Sequence, residues 1–295
     1  MATALLASNQ SAVFVQTQAT LGTFVDAAAT GTAIRVVGTP SWSVRGAGII
    51  DRKEVYTPWG GNSASRTGGL GWDITFQTEF FWQFGQAYDI DLSNQTQLAA
   101  LWLSSPWAIS HPTLATQLAV QPFFEPAAPT RSPAYAVQPF SMVYEETGGK
   151  RYEAFDCVAL PKISWEYGQR VMIDWTIKGS WRPVGDSQDI QPSYVSSATE
   201  APIIGVNCAA TISGFVCQVD ALSKVTIDTG WSLNDVGDTR KEFGFGISFF
   251  RQDSSPSLEL ELGEFDETAQ ASFGEAESNL IGTSITLVMT VGSST

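Results

Sequence analysis

Charge is scarce in this chain, and basic charge scarcest of all. Of 295 residues only 16% are Asp, Glu, Lys or Arg, and 16 Lys and Arg stand against 30 Asp and Glu, a formal net charge of -14. A sequence pI near 4.4 argues against a grip on nucleic acid through phosphate neutralisation. A surface past which nucleic acid must slide without sticking wants this same sign. Histidine is almost missing: His111, beside Pro112, is the only one, so no histidine pair exists for a metal and no His-x-x-x-His face can form. A hydrolytic triad would rest on His111 alone, without a Gly-x-Ser-x-Gly elbow, and no glycine-rich phosphate loop occurs. Paired carboxylates for glycoside hydrolysis need only two acids about 5 to 10 Å apart and stay open on sequence grounds. The expectation is a chain without catalysis, metal or cofactor.

Cysteine is limited to Cys157, Cys208 and Cys217. Their odd number and lack of a Cys-x-x-Cys spacing point to buried, reduced thiols. No window offers about 18 consecutive apolar residues, and the first dozen residues lack the charged start and apolar core of a secretory signal. A soluble product made in a cytoplasm, without a membrane partner, is expected.

What the chain has in quantity is apolar and aromatic surface: 43% hydrophobic residues, with ten Trp and 17 Phe. Either a large core or extensive protein contacts must absorb it. The clearest pattern lies between Tyr152 and Pro183. Val171, Ile173, Trp175 and Ile177 alternate with Met172, Asp174, Thr176 and Lys178, the period of a half-buried strand. Ile163, Trp165 and Tyr167 alternate just before them, and Gly168-Gln169 between the two runs supplies a tight reversal. Two long strands joined by a short turn follow.

Elsewhere, alternation predicts strands from Val13, from Ile34 to Val44, and from Trp72 to Trp82, where Trp72, Ile74, Phe76, Phe80 and Trp82 share a face. Ser93 to Ser104 carries a cap and Leu98, Leu101 and Trp102 at helical spacing. Prolines 106, 112, 122, 126, 129 and 133 predict a long excursion rather than sheet. Strands resume near Gln138 and turn at Gly148-Gly149. The glycine-rich segment from Gly46 to Gly71 is too long for a simple turn. Its Asp51, Arg52, Lys53, Glu54, Tyr56, Trp59 and Arg66 suit it to docking against a neighbour. Polar residues with Pro192 and Pro202 predict a linker over 187–203. The organisation expected is therefore a first β domain over 1–186 with an N-terminal arm, the linker, and a second β domain over 204–295. The second holds strands near Thr211 to Gln218, Ser223 to Asp228, Phe243 to Phe249, Leu258 to Leu262 and Ile281 to Val291, and a short helix between Glu267 and Asn279.

The order of the arm, the Leu21-Gly22-Thr23 turn, the charged loop, the long strand, the helix around Leu98 to Leu103 and the hairpin with Trp175, Gly179 and Pro183 resembles the major tail tube proteins of long-tailed bacteriophages. The resemblance covers roughly the first 185 residues and is carried by the order of the motifs rather than by any one of them. It implies a mainly β fold, a tail-tube-type sandwich or barrel flanked by a helix, in two tandem tube-like domains. It also implies a virion protein whose rings stack into the tube through which double-stranded DNA leaves the capsid without being specifically bound. A trimer with pseudo-sixfold symmetry is favoured by the second strand set, with a hexamer as the alternative. Tape measure and tail tip or terminator proteins are the implied partners.

No Lys or Arg follows Arg251, while eight acids do. In Leu258 to Leu262 the leucines alternate with Glu259 and Glu261, so one strand face carries two carboxylates. Repeated round a ring, Glu259 and Glu261 would line a channel with negative charge; an ordinary solvated face is the other reading. A carbohydrate-binding or adhesin-type β-sandwich is the alternative function. Against it, Trp72, Trp82, Trp165 and Trp175 fall on apolar strand faces, where core explains them better. Trp59 and Trp107, in loops, remain the contact candidates.

Overall fold

The computed structural model describes residues 11–30, 32–46, 49–50, 66–67, 70–79, 81–83, 99–105, 107–113, 117–122, 138–146, 148–188, 190, 200–202, 208–212, 215–217, 222–228, 230–235, 249–252, 257–262 and 285–289. The fold is mainly β, built on one antiparallel sheet of ten strands. In chain order these are β1 (Ser11–Thr17), β2 (Thr32–Ile34), β3 (Val37–Arg45), β4 (Gly71–Glu79), β5 (Phe140–Glu146), β6 (Lys150–Glu166), β7 (Met172–Trp181), β8 (Gly185–Asp186), β9 (Leu222–Asp228) and β10 (Ser257–Leu262). The main path runs β2-β1-β5-β6-β7-β4-β3.

The expected hairpin is the centre of this sheet. β6 is 17 residues long and pairs with β7 from Ala154↔Trp181 to Ser164↔Met172. Gly168 holds φ at 72° in the turn between them, a conformation glycine adopts without steric cost. On its other edge β6 pairs first with β5 and then, at Ile163–Glu166, with β9. Strands from both of the expected halves thus share one ladder, and β9 carries β10 beyond it.

A bulge at Asp156 makes that length possible. Residues Tyr152 and Ala154 face the core at even positions, whereas Cys157, Ala159, Ile163 and Trp165 face it at odd ones. Asp156 absorbs the extra residue with φ at 51°, and the registers with β5 and β7 both shift there. Without that insertion, every side chain of one half would point to the wrong face.

The sheet is open in its hydrogen bonds but rolled. Only Arg35 and Val36 separate β2 from β3, yet these strands stand at opposite ends of the path. Edges that would lie roughly 29 Å apart in a flat sheet, at about 4.8 Å per strand, are joined by three peptide steps, at most about 11 Å. Trp42 of β3 accordingly meets Tyr144 of β5 and Tyr152 of β6, with ring centroids 6.2 and 5.7 Å away. The enclosed face holds the core: Val13, Ile34, Ile74, Phe140, Met142, Ile173, Trp175 and Ile177 are all buried. Helix α2 (Ala99–Leu103) adds Leu101 and Trp102, the latter edge-on to Trp175 at 4.9 Å. A smaller cluster of Ala12, Phe14, Ala33 and Val143 lies on the reverse of β1 and β5, covered by Ala27 and Ala28 of helix α1 (Ala27–Thr30).

Several expectations need correction. The predicted strand from Ile34 to Val44 is two strands, bent at the corner that rolls the sheet. Tyr167 belongs to the turn and is exposed. The proline-rich excursion contains a hairpin, Trp107–Thr113 paired with Gln117–Pro122. Pro112 sits where that ladder's register shifts and Pro122 at its end, positions where a missing N–H costs little. Within the expected linker, Glu200–Pro202 pairs with Phe81–Gln83. In the later region Cys208–Ile212 forms a hairpin with Phe215–Cys217 and also pairs with Ile285–Met289. Residues 93–98 of the predicted helix, arm residues 1–10 and the helical candidate at 267–279 lie outside the described residues. Among the described residues no helix is long and apolar enough to cross a membrane.

Candidate functional site: the polar outer face of the sheet

Turning the apolar alternation of β4, β7, β6 and β9 inward puts their other residues on the outer face, where with Glu259 and Glu261 of β10 they line up in rows across the strands. One row places Lys224 between Glu261 and Glu166, with Lys224 Nζ 3.9 Å from Glu166. The next contains Glu259, Thr226, Ser164 and Met172. A third places Lys162 between Asp228, 3.4 Å away, and Asp174, its partner in register. Gln77 Nε2 donates to Asp174 Oδ1 at 2.6 Å and ends this row. Each lysine here has carboxylates on both sides.

Both predicted channel residues fall on this face. Glu259 and Glu261 are exposed, as are Glu166, Lys162 and Lys224, while Asp174 and Asp228 are half-buried. Acids exceed lysines across the patch, so its field is negative, yet the interleaved lysines relieve repulsion between neighbouring strands. Each such exposed pair contributes only about 0.2 to 1 kcal/mol.

Lower on the same side lies a group that single-sequence reasoning missed. Arg151 is buried and bridges three carboxylates: Nη1 donates to Glu145 at 2.8 Å, Nη2 to Asp26 at 2.5 Å and Nε to Glu153 at 2.7 Å. Burial pulls the Arg151 pKa down, but hydrogen bonds to Asp26 and Glu153 outweigh it and leave the value raised. Glu145 Oε2 accepts the Ile190 N–H at 3.0 Å, and Arg182 pairs with Glu153 at 3.2 Å while lying over the Phe24 ring. The group fastens helix α1 and the chain after β8 to the β5–β6 hairpin. Its signal was present in sequence: Glu145 and Arg151 flank the Gly148-Gly149 turn symmetrically, and they pair directly in register.

A second polar lock fixes the bulge. The Asp156 carboxylate accepts the Gly22 N–H at 2.8 and 3.1 Å, Gln18 Nε2 donates to it at 3.3 Å, and the Asp156 N–H donates to Gln18 Oε1 at 2.7 Å. The Leu21-Gly22-Thr23 turn is thereby tied to the middle of β6.

Of the predicted docking loop, Arg66 pairs with Ile50 in a short ladder at the loop's base. Asp51, Arg52, Lys53, Glu54, Tyr56 and Trp59 lie outside the described residues. Trp72, Trp165 and Trp175 are buried. Compared with known proteins, the chain matches no family model and no curated protein.

Proposed function

We propose that the protein is a structural virion subunit, a tail tube protein of the long-tailed phage kind, whose copies close into rings and stack into the conduit for genome ejection. The observation that carries this reading is the outer face of β4, β7, β6, β9 and β10: five adjacent strands, the long β6–β7 hairpin among them, that present an exposed, acid-rich, lysine-interleaved surface. DNA carries about one charge per 1.7 Å of duplex, so such a wall repels it and, among the described residues, offers no unaccompanied lysine as a foothold. The rolled sheet over one aromatic core suits the sandwich or barrel of that class, and a trimer of two-domain subunits is the favoured ring. The work is assembly rather than catalysis, with tape measure and tail tip proteins as partners in the virion.

The adhesin reading is weaker because Trp72, Trp165 and Trp175 lie in the core, out of reach of a sugar. Negative-stain microscopy of the purified chain decides between the two. Rings or hollow tubes of repeating height are expected, and a persistent monomer that binds glycans would overturn the assignment.

A further inference from the structure

We infer that the stretch from Gly230 to Asp235 is a strap, fastened across the outer face of the sheet by a charge clasp at Asp235 and able to open without unpairing the sheet beneath it. The chain leaves β9 at Asp228, beside Lys162, and reverses at Gly230, where φ is 68° and the Gly230 N–H donates to Asp228 Oδ1 at 2.9 Å. Trp231–Asn234 then pairs with Phe249–Gln252 and, among the described residues, with no strand of the ten-stranded sheet. It packs against β6. At that level Val158, the β6 residue opposite Lys178 in register, and Ser180 are buried although both point to the outer side.

The far end is held by Asp235, which accepts from Arg45 Nη1 and lies 3.7 Å from Lys178 Nζ. The sheet holds the cation ready. Arg45 Nη2 donates to the Gly179 carbonyl at 3.1 Å, and its Nε lies 3.6 Å from Asp73. Gly71 is what lets the side chain pass, since a Cβ there would sit 2.5 Å from Arg45 Nε. Removing the Asp235 charge therefore leaves Arg45 still engaged by Asp73 and Gly179, and unfastens the strap alone. A two-stranded piece without its anchor is marginal in water, so local opening follows.

Native-state hydrogen exchange on the full chain tests this with Asp235→Asn. The amides of Ser232 to Asn234 are expected to exchange roughly tenfold faster or more, with those of Ile163 and Ile173 to Ile177 unchanged. Lys178→Gln, which leaves Arg45 with Asp235, is expected to accelerate the same strap amides by a smaller factor. Unchanged strap protection in Asp235→Asn overturns the proposal. So does acceleration, in either variant, that spreads evenly into β6 and β7, because the stretch is then part of the sheet's own cooperative unit.

Discussion

Gly179 and Cys157 show at the residue scale how closely the middle of the sheet is fitted. A Cβ at position 179 would come within 2.5 Å of Cys157 Sγ and 3.3 Å of the Ala154 side chain. Gly179→Ala is expected to destabilise the protein by about 1 to 3 kcal/mol through overpacking. Cys157→Ala on top of it should recover much of that loss, a coupling that urea titration of both singles and the double will measure. The same thiol predicts a pH effect. Burial, and then the Asp156 carboxylate, push the Cys157 pKa well above its ordinary 9.0. The unfolded chain ionises first, so the thiol's contribution is complete below about pH 9 and is lost as pH rises toward the higher native value. Stability of the native sequence should fall more steeply above pH 9 than that of Cys157→Ala; parallel curves would remove the thiol from the account.

At the scale of elements, the ion group around Arg151 decides how the first helix and the chain after β8 meet the sheet. Arg151→Met leaves Glu145 buried with its charge unmatched, and breaking a buried pair from one side costs about 3 to 5 kcal/mol. Adding Glu145→Gln should return part of it, read as a shift in the urea midpoint. Which elements could be foreseen follows from the range of the forces that make them. The β6–β7 hairpin was legible because alternation and a glycine turn are local signals, and the same alternation placed Trp72, Ile74 and Phe76 in the core. The switch of parity at Asp156 was not, since the bulge is held by Gln18 and Gly22 from far up the chain. Nor was the hairpin at Trp107–Pro122: prolines argue against a ladder until it is known which N–H groups the ladder leaves unused. On the candidate face, Glu259 and Glu261 were legible as exposed acids, while their lysine neighbours emerge only from pairing across strands.

For the molecule as a whole, the loop between β3 and β4 offers the sharpest test of assembly because it can be removed cleanly. Arg45 stands opposite Gly71 in register, so deletion of residues 47–69 leaves Gly46 and Leu70 to link the two strands as a two-residue hairpin loop. Gly46 already holds φ at 75°, in the range that tight hairpin turns demand at one central position or both. The core residues Ile74, Phe140, Ile173 and Trp175 lie outside the deleted segment, and the shortened chain is expected to fold and melt cooperatively. If the loop docks on a neighbouring copy, the same variant stays monomeric in sedimentation and forms no tubes. Tubes of normal length would sink that docking role. Replacing Glu259 and Glu261 by Lys separates wall from joint: both side chains are exposed, and the new like charge beside Lys224 costs only a few tenths of a kcal/mol. If these residues line the channel, assembly should persist while the wall loses two negative charges and gains two positive ones per subunit. Slower genome ejection is then expected, easing at higher salt as phosphate contacts weaken, and ejection at the unaltered rate would move these residues off the channel wall.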